Sequence, residues 1–106
     1  MSKSLEQRFT ARMFEIYKNA KEQANYTASI FYDMITRNGG LLTAKTLISA
    51  LKPSVGYTAL YERNRLDLTV EAVVIEEPEW RELFTDDEIK KASERLKKYG
   101  YSAQKR

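Results

Sequence analysis

A chain of 106 residues, 42% hydrophobic and 31% charged, has the composition of one globular domain with a single core, which excludes a disordered chain. Cysteine and histidine are both absent, so disulfides, thiolate chemistry and a hydroxyl–histidine–carboxylate triad are excluded. No apolar run approaches the roughly 20 residues of a membrane span, and the N-terminus lacks the apolar core of a secretory signal. We therefore expect a cytoplasmic protein without a membrane partner.

The net charge of +3 is unevenly distributed along the chain. Residues 1–52 carry eight Lys and Arg against four Asp and Glu, whereas residues 53–106 carry ten against eleven. Seven carboxylates lie between Glu76 and Glu88, with Arg81 as the one cation among them. Such a bipolar surface indicates nucleic-acid binding less strongly than a single basic face would.

The first predicted helix begins behind a capping box formed by Ser4 and Gln7. Apolar residues recur after it at steps of three and four, which is one stripe of an amphipathic helix. The stripe consists of Leu5, Phe9, Met13, Ile16, Tyr17, Ala20 and Ala24.

Three shorter helices are expected next. The second has Ala28, Ile30, Phe31, Met34 and Ile35 as its apolar side and ends at the Gly39-Gly40 pair. The third runs from Leu41 to Leu51, with Pro53 closing it, and the fourth begins after the cap residue Ser54 and ends near Asn64.

The most apolar stretch runs from Leu66 to Ile75 and reads LDLTVEAVVI. Its apolar residues alternate as in a strand, but they also fit one helix face. No other stretch offers a partner strand, and an isolated strand would leave its backbone groups unpaired. We therefore predict a short buried helix with Asp67 or Thr69 as its N-cap.

Two further helices complete the predicted fold. Pro78 suits the first turn of a short helix, and Thr85 with Glu88 forms a second capping box for the last helix, which ends at Gly100. The sequence thus predicts an all-α fold, a compact orthogonal bundle of about five to seven helices with the short apolar helix at its centre. Residues 1–101 form a single domain, and residues 102–106 form a frayed basic tail.

Three segments resemble, in this order, a pattern found in a family of small bacterial proteins. The first pairs Tyr26-x-Ala28-x-x-Phe31 with Gly39-Gly40, the second contains RLDLTVEAVV from Arg65, and the third joins Trp80-x-x-Leu83-Phe84 to Tyr99-Gly100-Tyr101. The resemblance covers roughly residues 16–101 and implies a self-contained domain. It implies no established activity and no catalytic or binding residue.

The residues beside the apolar run allow two interpretations. Asp67 and Glu71, four residues apart, can hold a divalent cation on one helix face, or they can simply cap a helix start. Arg63 and Arg65 can contact phosphates, or they can bridge to Asp67 and Glu62. We favour the structural interpretation in both cases. A carboxylate-metal hydrolase is a minor hypothesis, so we predict no catalytic residue, no metal and no cofactor.

The preferred functional prediction is a non-enzymatic binding or accessory module that contacts another protein, or a second copy of itself. The acidic segment around the single tryptophan offers the surface for such a contact. Tyr32, Tyr61 and Tyr101 fall off the helix stripes, so we expect them to be exposed aromatic residues beside it. The predicted protein-binding residues are Glu76, Glu79, Trp80, Glu82, Tyr61 and Tyr32.

The alternative is a nucleic-acid-associated accessory protein that uses a basic helical face. The sequence pI of about 9.1 motivates it. The predicted nucleic-acid-binding residues are Arg8, Arg12, Lys18, Lys21, Arg63, Arg65, Lys97 and Lys98.

Overall fold

The helices follow the predicted order in a computed structural model that describes residues 4–102. Six α-helices span this part of the chain: α1 Leu5–Ala24, α2 Ser29–Asn38, α3 Gly40–Ser49, α4 Val55–Glu62, α5 Val70–Glu76 and α6 Asp86–Lys98. Two 3-10 helices, Leu66–Leu68 and Pro78–Leu83, flank α5. No strand occurs among residues 4–102, and the prediction of an all-α bundle is confirmed.

Side-chain caps set the helix starts that the sequence predicts. The Ser4 hydroxyl accepts a hydrogen bond from the Gln7 N–H, and Thr85 accepts one from the Glu88 N–H, so both capping boxes are formed. Of the two candidates for the N-cap of α5, Thr69 fills the position: its hydroxyl accepts from the Ala72 N–H at 3.2 Å. The cap directs the apolar run into a helix.

Helix α5 lies in the centre of the bundle, and its residues Val70 to Val74 are all buried. Phe9 of α1 packs beside it, with ring centroids 5.4 Å from Trp80 and 5.5 Å from Phe84 in edge-to-face contact. Trp80 is only 5% exposed, so this predicted protein-binding residue is a core residue in the structure. The cause is the apolar surface of α1 and α5, which the indole covers.

Helices α1 and α3 come into close contact at Gly40. The Gly40 N–H donates to the Thr10 hydroxyl at 3.1 Å, and a Cβ added at Gly40 would lie 2.6 Å from the Thr10 Cα. Because the obstructing atom is backbone, only glycine allows this approach. Gly39 has φ +83, a backbone conformation that ends α2 before α3 begins.

Four details of the predicted apolar faces are wrong. Leu42 and Val55, expected among the apolar residues of the third and fourth helices, are 55% and 74% exposed. Ile30 was expected on the buried side of α2 but is 74% exposed, since Ile35 and Ala28 supply the buried contacts of this segment. Leu51 was expected inside the third helix, but α3 ends at Ser49 and the Leu51 side chain is fully exposed. Of the predicted tail, residues 103–106 lie outside the described residues.

None of the helices within residues 4–102 combines the length and the apolar character that crossing a bilayer requires.

Substituting alanine at two glycines should change stability in opposite directions. Gly40→Ala places its Cβ against the Thr10 backbone and should lower the free energy of unfolding by roughly 1–3 kcal/mol. Gly56→Ala meets its nearest atom, in Tyr26, at an ordinary 3.8 Å and should raise it by up to about 1 kcal/mol through reduced entropy of the unfolded chain. Urea unfolding of both variants measures the difference, and equal effects would contradict the close contact.

The contact of Glu88 with α3 should make stability depend on pH. Partial burial raises the pKa of Glu88, but hydrogen bonds from the Lys45 ammonium at 2.6 Å and from the Thr85 N–H outweigh it and hold the pKa below its usual 4.5. A carboxylate with a lowered pKa in the folded state stabilises the fold above its unfolded pKa and loses this contribution in acid.

Glu88→Gln should therefore be less stable than wild type by about 1 kcal/mol at pH 7, and the gap should close as the pH falls below 4.5. Melting curves of Glu88→Gln and wild type between pH 7 and pH values below 4.5 measure this difference in stability. Lys45→Met should reproduce the pattern, since it removes the same contact, and a gap that does not change with pH would contradict the assignment.

Candidate functional site

A half-open cavity of about 310 Å³ lies between α1, α2, α4 and the start of α5, with Leu47 of α3 also in its lining. Its lining is mostly apolar, and four aromatic rings contribute to it: Tyr17, Tyr26, Phe31 and Tyr57. Its size and apolar character are those of a binding cavity.

Small residues leave this space open. Ala20 of α1, Ala28 before α2 and Gly56 of α4 all line the cavity, and a Cβ on Gly56 would point at the Tyr26 ring 3.8 Å away. Half-open apolar pockets of this size are the common sites of ligand and partner binding in proteins.

Two aliphatic side chains in the lining of the cavity are largely exposed to water. Ile30 in the first turn of α2 and Val55 at the start of α4 both line it, and both are 74% exposed. Single exposed apolar residues are common, but two beside an apolar cavity form one continuous apolar surface. We call the cavity together with Ile30 and Val55 the docking face.

Three of the uncharged polar side chains that line the cavity have hydrogen-bond partners within the protein. Ser54 accepts from the Tyr57 N–H at 3.1 Å, and Thr69 donates to the Leu66 carbonyl at 2.7 Å. The Tyr57 hydroxyl donates to the Arg95 carbonyl at 3.2 Å, and burial raises the pKa of Tyr57 well above its usual value. These groups offer little to a charged ligand.

Glu71 is the one charged residue in the lining, and it is only 4% exposed. Its carboxylate accepts a hydrogen bond from the Arg95 guanidinium at 2.9 Å. Burial raises the pKa of Glu71, while the bond to Arg95 acts in the opposite direction. Since the partner neutralises the carboxylate, the cavity carries no net charge.

Arg95 also connects this ion pair to α3. Its guanidinium donates to the carbonyl of Leu47 at 3.0 Å and to that of Ala50, both at the C-terminal end of α3. One side chain of α6 thereby fixes α3 and α5 relative to each other, and Leu47 lines the cavity.

The predicted protein-binding residues do not form one surface around the tryptophan. Trp80 is buried, and its indole N–H donates to Glu77 at 2.7 Å. Glu76 accepts from the Tyr101 hydroxyl at 2.6 Å and is half-buried, while Glu79 and Glu82 are exposed. The acidic segment therefore lacks the aromatic anchor that the sequence suggested.

Of the three tyrosines predicted to be exposed, two are exposed, while Tyr101 is partly buried against a core cluster with Leu66 and Leu96 and donates its hydroxyl to Glu76. Tyr32 is 47% and Tyr61 is 45% exposed. Each also packs on a neighbouring ring: Tyr32 on Tyr17 at 4.9 Å and Tyr61 on Tyr99 at 5.1 Å. Tyr32 lies on α2 and Tyr61 on α4, the two helices that carry Ile30 and Val55.

Several of the predicted nucleic-acid-binding residues have contacts within the protein. Arg12 forms a salt bridge with Glu77 at 2.8 Å, and Arg65 bonds both carboxylate oxygens of Asp67. Arg63 donates to the Ala24 and Ala59 carbonyls, and its guanidinium lies over the Tyr26 ring. The other predicted cations are exposed: Arg8, Lys18, Lys21, Lys97 and Lys98.

The possible pairing of Asp67 with Glu71 on one helix face is wrong. Asp67 lies in the 3-10 helix with its carboxylate on Arg65, while Glu71 lies in α5 with its carboxylate on Arg95. The Thr69 cap between them separates the two elements. No group of three or more acidic side chains within residues 4–102 has a geometry that would hold a metal ion.

No protein-family model, curated protein or solved structure matches this chain. The family resemblance of the three segments stays a prediction, and the geometry of the docking face carries the functional argument.

The sequence interpretation missed the docking face itself. One signal was present: Glu71 is a charged residue inside the apolar run, so it needed a buried partner. Nothing in the spacing identified Arg95 as that partner, because 24 positions separate them.

Removing a carboxylate should have very different effects at Glu71 and Asp67. Glu71→Ala leaves the Arg95 charge buried without its partner and should lower the free energy of unfolding by about 3–5 kcal/mol. Asp67→Ala breaks a bridge whose side chains are 32% and 42% exposed and should cost less than about 1 kcal/mol. Urea unfolding at neutral pH measures both, and comparable losses would contradict the central role of the buried pair.

Proposed function

We propose that this protein is a non-catalytic binding module that docks a partner protein by taking an uncharged apolar group of the partner into its cavity. The observation that carries the proposal is the apolar cavity of about 310 Å³ with Ile30 and Val55 exposed beside it. Buried apolar anchors in such pockets supply most of the energy of many protein interfaces.

The exposure of Ile30 and Val55 favours a macromolecular partner over a small molecule. A small ligand enclosed in the cavity would leave much of both side chains in water. A protein surface that inserts one anchor into the cavity would also cover Ile30 and Val55 and gain the free energy of burying these two side chains.

The chemistry of the cavity favours an uncharged group. A charged group would lose its hydration and find Glu71 already neutralised by Arg95. A hydrocarbon side chain needs no such partner. It would make favourable dispersion contacts with the aromatic and aliphatic residues of the lining.

The same contacts support a non-catalytic role. The Glu71 carboxylate is held by Arg95, and the pKa of the Tyr57 hydroxyl is raised far from neutrality. Neither group is free to take a proton from a substrate near pH 7. A chain without cysteine suits the reducing cytoplasm, where we place the module.

The nucleic-acid alternative has less support. The internal contacts of Arg12, Arg63 and Arg65 occupy cations that a phosphate backbone would need. The apolar docking face contributes nothing to such binding.

An uncharged apolar probe tests the proposal. N-phenyl-1-naphthylamine should increase its fluorescence with dilute wild-type protein and do so equally well with Gly56→Ala. Gly56→Leu adds a branched side chain at a position that lines the cavity and should weaken probe binding by about tenfold or more.

Melting curves of the two variants show that each is folded. Equal probe binding by Gly56→Leu and wild type, or no binding by folded wild type, would contradict the proposed site.

A further inference from the structure

We propose that the group entering the cavity brings with it an uncharged hydrogen-bond acceptor, a main-chain carbonyl of the partner protein, which the Tyr26 hydroxyl binds beside Gly56. This inference rests on the proposed function, because it names the chemistry that the same cavity recognises. Three observations support it: the hydroxyl has no partner of its own, a second hydroxyl lies close to it, and its ring is held in place.

The Tyr26 hydroxyl needs a partner once the cavity is covered. Tyr26 lines the cavity, and its hydroxyl lies 3.9 Å from the position that a Cβ on Gly56 would take. Within residues 4–102 this hydroxyl takes part in no hydrogen bond, and it is open to water in the free protein. A partner that covers the cavity removes this water, and a buried hydroxyl left without a partner is costly. A purely hydrocarbon surface would therefore bind less well than one that supplies a polar atom here.

A second hydroxyl makes this part of the lining a donor site. The Ser54 Oγ lies 3.9 Å from the same Gly56 position and already accepts a hydrogen bond from the Tyr57 N–H at 3.1 Å. Its O–H donates to no group within residues 4–102, so it remains available for donation. Because residue 56 has no side chain, the space in front of both hydroxyls stays open. Two neighbouring O–H donors suit an acceptor oxygen.

Contacts within the protein fix the Tyr26 ring before a partner arrives. The Tyr26 N–H donates to the Ala20 carbonyl at 3.0 Å, and the Arg63 guanidinium lies over the ring, 5.1 Å from its centroid. That guanidinium is itself held by the carbonyls of Ala24 and Ala59. A donor that is already held in one position loses little conformational entropy when it binds.

A main-chain carbonyl is the acceptor that a protein brings beside each of its side chains. Ser54 and Gly56 flank Val55, whose side chain is 74% exposed, so the two hydroxyls lie toward the open side of the cavity. A hydrocarbon side chain that enters the cavity leaves its own main chain at that side. A carboxylate would accept the same hydrogen bonds but would lose its hydration beside a mostly apolar lining, which favours the uncharged carbonyl.

Two naphthalene probes that differ in their polar group test the inference. Prodan carries a ketone carbonyl, whereas N-phenyl-1-naphthylamine has none. Tyr26→Phe removes the hydroxyl and keeps the ring, so it should weaken Prodan binding by about fivefold or more and leave N-phenyl-1-naphthylamine binding unchanged. The emission of bound Prodan should also move to shorter wavelength, because its carbonyl loses a hydrogen bond.

Tyr61→Phe is the matched control, because it makes the same change at a tyrosine outside the cavity lining. It should bind both probes as wild type does, and melting curves show that both variants are folded. Equal Prodan binding by Tyr26→Phe and wild type, equal weakening of both probes, or no binding of Prodan by wild type would overturn the inference.

The binding of N-phenyl-1-naphthylamine separates this inference from the proposed function. If wild type binds that probe and loses it in Gly56→Leu, the docking function stands even where the Prodan result overturns the role of Tyr26. If folded wild type does not bind it, both are overturned.

Discussion

The buried ion pair between Glu71 and Arg95 is the contact on which the arrangement of the bundle depends. The guanidinium of Arg95 reaches α5 through Glu71 and α3 through the carbonyls of Leu47 and Ala50. A pair at this depth gains little net energy over an apolar contact, but the loss of either partner leaves a buried charge and is costly. It therefore specifies one arrangement of α3, α5 and α6 rather than adding greatly to stability.

The cavity follows from this rigid arrangement together with small side chains. The ion pair fixes the position of α5 at one side of the cavity. The small residues Ala20, Ala28 and Gly56 line the cavity on the α1, α2 and α4 side. The Glu71–Arg95 ion pair and the mostly apolar lining leave the space without an unpaired charge. An uncharged group suits such a space, which connects the packing of the core with the kind of partner proposed.

The sequence predicted the fold more successfully than the site, for physical reasons. Caps such as Ser4 and Thr85 act on residues three positions away, so their spacing predicts helix starts, and the apolar run at Val70 required burial. Trp80 shows where sequence prediction failed. Its acidic neighbours in the sequence suggested a surface anchor, but its packing on Phe9 buries it. A cavity depends on how several distant segments meet, which helix periodicity does not encode.

The central claim is that the cavity, rather than the exposed leucines elsewhere on residues 4–102, accepts an uncharged apolar group. Methyl-labelled protein in dilute solution with N-phenyl-1-naphthylamine tests it by nuclear magnetic resonance. The account predicts that methyl signals of the cavity residues Leu47, Leu60 and Val70 shift, while those of the exposed Leu42 and Leu51 do not. Shifts at Leu42 and Leu51 without shifts in the cavity would contradict it.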